Sequence, residues 1–330
     1  MTSSPSAGSK PRVLMFDPVA YAEMGPPTRA RLDEVFNMTR LWEVDDGDRY
    51  LAEHGHEFRA ILSRGVLAEA TLAKLPNVEI VSQTGVGTDK APLDYFRAHR
   101  ISYTNTRGSL SDSVADIAIT LGLCVARGVI TGDHHVRSGG WAKQRPPMGR
   151  SFSGRNYGIA GLGSIGGEIG QRLEGFGGTI RYHNRKPVPG VAYEYCPTLV
   201  DLAARSDFLF MALPGGASTK GVVNEGVLRA LGPDGIVVNV GRGTALDEDA
   251  LVRVLEDGGL LGAGLDVHAN EPHANPRLVT MPNVVLLPHL GSSTIETRAA
   301  MHRLCIDNML AHFAGEPLLT PICDASNPIP

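Results

Sequence analysis

Short apolar runs alternate with amphipathic stretches along nearly the whole chain. Arg12–Phe16, Ala60–Leu62, Glu79–Gln83 and Ile101–Tyr103 each close near a Gly, Pro, Ser or Asn, as buried strands do. A second series begins at Asn156–Ala160 and continues through Thr179–Tyr182, Phe208–Ala212, Ile236–Val240, Gly262–Asp266 and Val284–Leu287. Apolar blocks this short, separated by helical patterns, describe parallel strands covered by helices on both faces. Between the two series lies one long helical run, Asp112 to about Arg137, with Ser111 or Asp112 placed to cap it. Another begins near Ser292 or Ser293, runs to about Phe313 and meets Gly315 and Pro317 as stop signals.

The predicted class is α/β, with two Rossmann-like, doubly wound parallel-sheet domains. If the last helix carries the chain back to the first sheet, residues 11–107 and 294–330 form one domain, flavodoxin-like and suited to a substrate. Residues 108–293 then form a second domain inserted into it. A length of 330 residues is long for a single core and agrees with two.

The inserted domain opens on Gly161-Leu162-Gly163-Ser164-Ile165-Gly166, between an apolar strand and a helix-compatible run. In that setting a GxGxxG turn binds a dinucleotide. The first glycine permits the turn, the second lets backbone approach a pyrophosphate, and the third lets helix and strand pack closely. Glycine makes up 39 of 330 residues, so the pattern alone carries little weight. The corner about twenty residues on adds to it. There the strand ends in His183-Asn184-Arg185-Lys186, where an NAD enzyme usually carries an acidic side chain for the ribose 2′-OH. Arg185 and Lys186, with Asn184 as a neutral donor, suit a 2′-phosphate instead, which favours NADP(H) and leaves NAD(H) open. The plainer alternative is a solvated basic turn.

Composition narrows the class. A net charge of −4, 42% hydrophobic and 20% charged residues give no reason to expect nucleic acid or an anionic membrane as partner. Cys124, Cys196, Cys305 and Cys323 are scattered, with no metal-ligand spacing, and read as reduced core residues of a cytoplasmic protein. Residues 1–10 have no apolar segment and read as a disordered tail rather than a signal. No apolar run approaches the roughly eighteen residues a membrane span needs.

Three polar groups stand at strand ends of the second series: Arg242 between Gly241 and Gly243, Asp266 with Glu271, and His289 after Pro288. Reduction of a 2-keto acid needs a fixed cation for the carboxylate and carbonyl oxygens, which arginine supplies with a two-pronged donor. It also needs an acid that titrates near neutrality, which is histidine. A carboxylate held against the imidazole favours its protonated form. Each residue also has a plainer reading: a loop arginine, a structural histidine, a loop-start glutamate, an aspartate capping a turn.

Together these segments resemble the D-isomer-specific 2-hydroxyacid dehydrogenases, in their glyoxylate, hydroxypyruvate and hydroxyphenylpyruvate reductase branch. The resemblance rests on Gly85-Val86-Gly87-Thr88-Asp89, Asn105-Thr106-Arg107-Gly108, Val114-Ala115-Asp116, the Gly161 turn, and the Arg242, Glu271 and His289 segments in that order. It implies that Arg242 orients the substrate, His289 donates the proton and Glu271 partners the histidine. It further implies that the N–H groups of Val86 and Gly87 bind the substrate carboxylate and that Asp266 faces the nicotinamide carboxamide. The expected cofactor contacts also take in Leu213, Pro214, Val240 and Gly291. Ser63 and Arg64 are candidate substrate contacts at a strand end of the first series. In such reductases a tryptophan placed like Trp141 comes from the partner subunit and walls the substrate pocket, which implies a homodimer and a part for Trp141 in substrate specificity. Arg107 departs from the family, which often has proline there; it is either a surface substitution or a second anion contact. The resemblance leaves open an NAD-dependent relative such as phosphoglycerate dehydrogenase, and a dinucleotide-sensing protein akin to the corepressors on this fold.

Overall fold

The structure is a computed structural model and describes residues 10–325. The predicted tail, residues 1–10, lies almost wholly outside the described residues. The chain divides into two compact units, one made of residues up to Leu110 and from Thr294 onward, the other of Ser111–Ser293.

In the first unit, β1 (Arg12–Met15), β2 (Asn37–Arg40), β3 (Ala60–Ser63), β4 (Ile80–Gln83), β5 (Ser102–Thr104) and β13 (Pro321–Cys323) make one sheet in the order β13-β5-β4-β3-β1-β2. Apart from β13 the pairings are parallel, and 2-1-3-4-5 is the flavodoxin-like order. Core side chains cover both faces: Leu14, Ile61 and Val81 on one, Val13, Leu62 and Ile80 on the other. β13 breaks the all-parallel expectation by pairing antiparallel with β5. Buried Asn308 ties it in, its Oδ1 accepting from the N–H of Leu319 and Thr320, both at 3.1 Å.

The second unit contains β6 (Asn156–Ala160), β7 (Thr179–His183), β8 (Glu194–Tyr195), β9 (Phe208–Met211), β10 (Ile236–Asn239), β11 (Gly262–Leu265) and β12 (Val284–Leu286). Their order, β12-β11-β10-β9-β6-β7-β8, is parallel throughout. Renumbered from β6 it contains the Rossmann order 3-2-1-4-5-6, with the order reversing between β6 and β9. All four residues of each of β9, β10 and β11 are buried, as a sheet covered on both faces requires.

The long run from Asp112 to Arg137 is two helices rather than one. Ser111–Arg127 and Val129–Arg137 meet at 61°, because Gly128 adopts a left-handed φ of 58° that an uninterrupted helix cannot contain. The final helix starts slightly later than its sequence suggests, at Ile295, because the Thr294 hydroxyl caps the Thr297 N–H at 3.1 Å. Among the described residues no single helix is long and apolar enough to cross a membrane.

Arg172 fixes the helix that follows the glycine turn. It donates to Asp116 at 2.7 Å and to Glu168 at 2.9 Å, joining helix Ser164–Glu174 to helix Ser111–Arg127.

Glu79 carries a comparable tie in the first unit, paired with both arms of Arg59 and with His312. Burial works against its charge, yet the hydrogen bonds from His312 and Arg59 win and hold the carboxyl at about 2, below its ordinary 4.5. A folded value below the unfolded one means stabilisation that is complete above pH 4.5 and is lost as pH falls towards 2. Glu79→Gln should therefore lower Tm at neutral pH, with the gap from the native chain closing across that window. A gap that stays constant down to the acid end would refute this account.

Candidate active site

β6 delivers the chain into the glycine turn where the strand order reverses, the place where open α/β sheets bind ligands. Gly161 has φ 95°, and a Cβ there would stand 2.9 Å from the Ala212 carbonyl. Gly163 faces open space and, with Ser164, is exposed. It also precedes helix Ser164–Glu174, whose first N–H groups have no side-chain cap. A Cβ on Gly166 would lie 2.1 Å from the Gly161 carbonyl, so the helix reaches the strand only because nothing is there. Leu162 is buried beneath the turn and Ile165 half-buried. Open space, uncapped N–H groups and a helix N-terminus fit the pyrophosphate of a dinucleotide.

The basic corner follows β7. Arg185 and Lys186 are exposed, with no hydrogen-bond or ion-pair partner among the described residues. Asn184, expected as a ligand donor, also bonds the chain's own backbone. Its Oδ1 accepts the Leu162 N–H at 2.6 Å and its Nδ2 donates to the Leu162 carbonyl at 3.3 Å. It thus braces the glycine turn from below.

Leu213 and Pro214 follow β9, half-buried and exposed respectively, while Val240 is buried after β10. The two glycines around Arg242 are explained by close backbone approaches. A Cβ on Gly241 would meet the Leu213 carbonyl at 2.5 Å, and one on Gly243 would fall on the His268 backbone. Half-buried Arg242 donates from Nη1 to the Gly241 carbonyl at 2.9 Å. Asn239, fully buried, holds the loop from beneath through the Gly241 N–H and the Arg242 carbonyl, both at 3.1 Å. Nothing in the local sequence marks Asn239 for this.

After β11, Glu271 accepts the His268 N–H at 3.1 Å and meets Nδ1 of His289 at 3.0 Å. Burial pushes its carboxyl up, but the bonds from His289 and the His268 N–H outweigh that and hold it below the ordinary range. Glu271 is therefore a carboxylate at neutral pH. The His289 side chain is 48% exposed, so the imidazole reaches solvent with one nitrogen anchored.

His289 has φ 57°, left-handed for a residue with a Cβ. Asp266 explains how it stays there. Asp266, expected to face the nicotinamide, is 1% exposed, and its two oxygens accept the Leu290 N–H at 2.6 Å and the Gly291 N–H at 2.8 Å. Strain at such a backbone is about 1–3 kcal/mol. Those two bonds, with the His289 N–H on the Asp266 carbonyl at 2.9 Å, hold the backbone against it. Gly291 is thereby placed within this loop, buried.

The first unit holds its own sequence-marked residues at the ends of β3 and β4. Val86 and Gly87 are half-buried, and their N–H groups have no acceptor among the described residues. Ser63 is buried, its carbonyl accepting from Thr84. Arg64 is anchored by Glu23 at 3.0 Å, a partner far off in sequence. Arg107 is exposed. In the second unit Trp141 is 65% exposed, beside a helix, Val129–Arg137, with no buried residue.

Residues 119–291 match the model of the D-isomer specific 2-hydroxyacid dehydrogenase NAD binding domain. The chain belongs to the D-isomer-specific 2-hydroxyacid dehydrogenase family. It is 43% identical over 293 residues to glyoxylate/hydroxypyruvate reductase A HPR2 of Arabidopsis thaliana, covering 88% of this chain and 94% of that protein. It is 37% identical to the 2-ketogluconate reductase of Gluconobacter oxydans, covering 95% of this chain and 99% of that one. Among solved structures, the NADPH-dependent glyoxylate/hydroxypyruvate reductase of Sinorhizobium meliloti, in complex with NADP and malonate, superposes with a TM-score of 0.87. That match covers 98% of this chain and 99% of the other at 38% identity. As a member of this family the chain is an NAD(P)-dependent oxidoreductase of the 2-hydroxyacid dehydrogenase type.

The glycine turn gives a direct check of the dinucleotide fit. Gly166→Ala should cost roughly 1–3 kcal/mol or more by forcing helix and strand apart. It should also weaken NADPH binding, read by thermal melting and by quenching of cofactor fluorescence. Native Tm and native affinity in this variant would show that the close approach is unimportant.

Proposed function

We propose that the chain is an NADPH-dependent reductase that converts a small 2-keto acid, glyoxylate or hydroxypyruvate or an aryl pyruvate, to the D-2-hydroxy acid. The observation that carries this reading is the His289–Glu271 pair at 3.0 Å, on the strand-end edge that also holds Arg242. Bound dinucleotide supplies the hydride. The remaining work falls to the chain's own side chains. Arg242 offers its guanidinium to the carboxylate and carbonyl oxygens, where negative charge grows as the carbonyl is reduced. His289, with Nδ1 turned to Glu271, presents Nε2 to give its proton to that oxygen. Glu271, a carboxylate throughout, supports the cationic imidazole before transfer. In the first unit, the N–H groups of Val86 and Gly87 suit a carboxylate, and Ser63 and Arg64 stand at the neighbouring strand end.

Cofactor choice rests on Arg185 and Lys186. Two exposed cations without partners among the described residues, and no acidic side chain at the end of β7, favour a 2′-phosphate over a 2′-OH. The NADP in the Sinorhizobium meliloti relative supports this choice. The same reading makes the protein a homodimer. Val129, Ile130, Val136, Trp141 and Met148 are all about half exposed or more, an apolar surface that a second copy would cover. Trp141→Ala should then shift the mass measured by light scattering towards the monomer. An unchanged dimer, or a monomeric native chain, would count against that surface.

Activity is tested by kcat/KM with NADPH and NADH across glyoxylate, hydroxypyruvate, phenylpyruvate and 2-ketogluconate. Replacing Arg185 and Lys186 together with Gln should weaken NADPH far more than NADH, and His289→Ala should lower kcat by roughly 10²-fold. No turnover of any of the four acids with either cofactor would defeat the enzyme reading. Equal effects of the double substitution on both cofactors would defeat the 2′-phosphate assignment.

A further inference from the structure

The His289 imidazole is half exposed and makes one hydrogen bond to another side chain, so its aim depends on the backbone that carries it. That backbone follows β12 and belongs to no strand or helix, and its φ of 57° is one that a residue with a Cβ leaves when released. Four contacts, all within the second unit, keep it there. The His289 N–H donates to the Asp266 carbonyl at 2.9 Å. Both oxygens of the Asp266 carboxylate accept from the next two N–H groups, at 2.6 Å and 2.8 Å. The fourth comes from elsewhere in the chain: the Ser113 hydroxyl donates to the Gly291 carbonyl at 2.7 Å.

Ser113 stands in the first turn of helix Ser111–Arg127, where a serine ordinarily bonds to its own helix backbone. Here it is buried and reaches a carbonyl 178 residues away. The fit is close, since a Cβ on Gly291 would stand 3.0 Å from the Asp266 carboxylate and 3.2 Å from Val114. Gly291 is thus gripped from both sides, its N–H by Asp266 and its carbonyl by Ser113.

We propose that Ser113 and Asp266 are positioning residues for His289, acting as a two-sided clamp that holds its left-handed backbone and so keeps Nδ1 against Glu271. The proposal rests on His289 being the proton donor. Ser113 stands outside every candidate ligand contact, while Asp266 is also a candidate nicotinamide contact, so the clamp is read at Ser113. With the clamp loosened, the backbone relaxes, the imidazole leaves Glu271, and the proton is presented off line, while substrate and cofactor contacts elsewhere remain. At Ser113 the expected signature is loss of kcat with little change in KM or in NADPH affinity.

The test compares Ser113→Ala, Ser113→Thr and Asp266→Asn with the native enzyme. Ser113→Ala should lower kcat roughly 10-fold or more, the scale of a misplaced catalytic group. Its KM and NADPH Kd should stay near native, and the ¹⁵N-imidazole spectrum should show a displaced His289 Nδ1 signal. Ser113→Thr, which keeps the hydroxyl, should restore both. Asp266→Asn turns an N–H donor towards a backbone N–H and should lose more; if it does not fold, the serine pair decides the question. Native kcat with an undisplaced imidazole signal in Ser113→Ala would overturn the clamp, as would equal losses in the alanine and threonine variants. If His289→Ala itself turned over normally, the proton-donor reading would fall, and the imidazole spectrum of Ser113→Ala would still report on the clamp.

Discussion

The second unit depends on a left-handed backbone at His289, and that conformation is bought by the sheet beneath it. β11 lies between β10 and β12, so the residue at its end, Asp266, is enclosed on both sides. Its own N–H is taken by the Asn239 carbonyl, at the end of β10. Carboxyl oxygens so deeply buried require donors, and the loop after β12 supplies them as the N–H groups of Leu290 and Gly291. Satisfying the carboxylate and turning the backbone are therefore one event. The parallel register brings the ends of the three strands level, and the turn that results faces the Glu271 loop.

At the other end of the same sheet edge, the chain solves an electrostatic problem with little charge. The glycine turn offers N–H groups and a helix N-terminus, which attract phosphate without the conformational entropy of long side chains. Arg172 holds that helix to helix Ser111–Arg127, and Asn184 holds the turn itself. Exposed cations stand at Arg185 and Lys186, beyond the end of β7.

Much of this was legible in the chain. Buried strands such as Phe208–Met211 and Ile236–Asn239 are short apolar blocks, and burial on both faces leaves no other pattern for them. β2 and β8 were not legible, because edge strands of mostly polar, part-exposed residues carry no apolar block, and β13 was not because it is only three residues long and opens on a proline. The break at Gly128 was hidden for a different reason: apolar periodicity continues through it, and only the backbone angle reveals the turn. Within the site, Arg242, Glu271 and His289 stood out because their residue types and strand-end positions are local features. Asn184 and Asp266 were marked for ligands, and what the sequence did not mark is that their polar atoms also hold backbone.

By itself, then, the sequence determined the two α/β sheets, the glycine turn, the basic corner after β7 and the identity of the three polar residues beyond β10, β11 and β12. Each is written in residues close together along the chain, where periodicity and turn chemistry act. Only the tertiary structure decided how those residues are held: Ser113 on Gly291, Asn239 beneath Arg242, Glu23 against Arg64, Asp266 under His289. Serine, asparagine and aspartate look alike in any loop or cap. Their partners are chosen by which strand ends the sheet brings side by side, and that is a property of the folded chain.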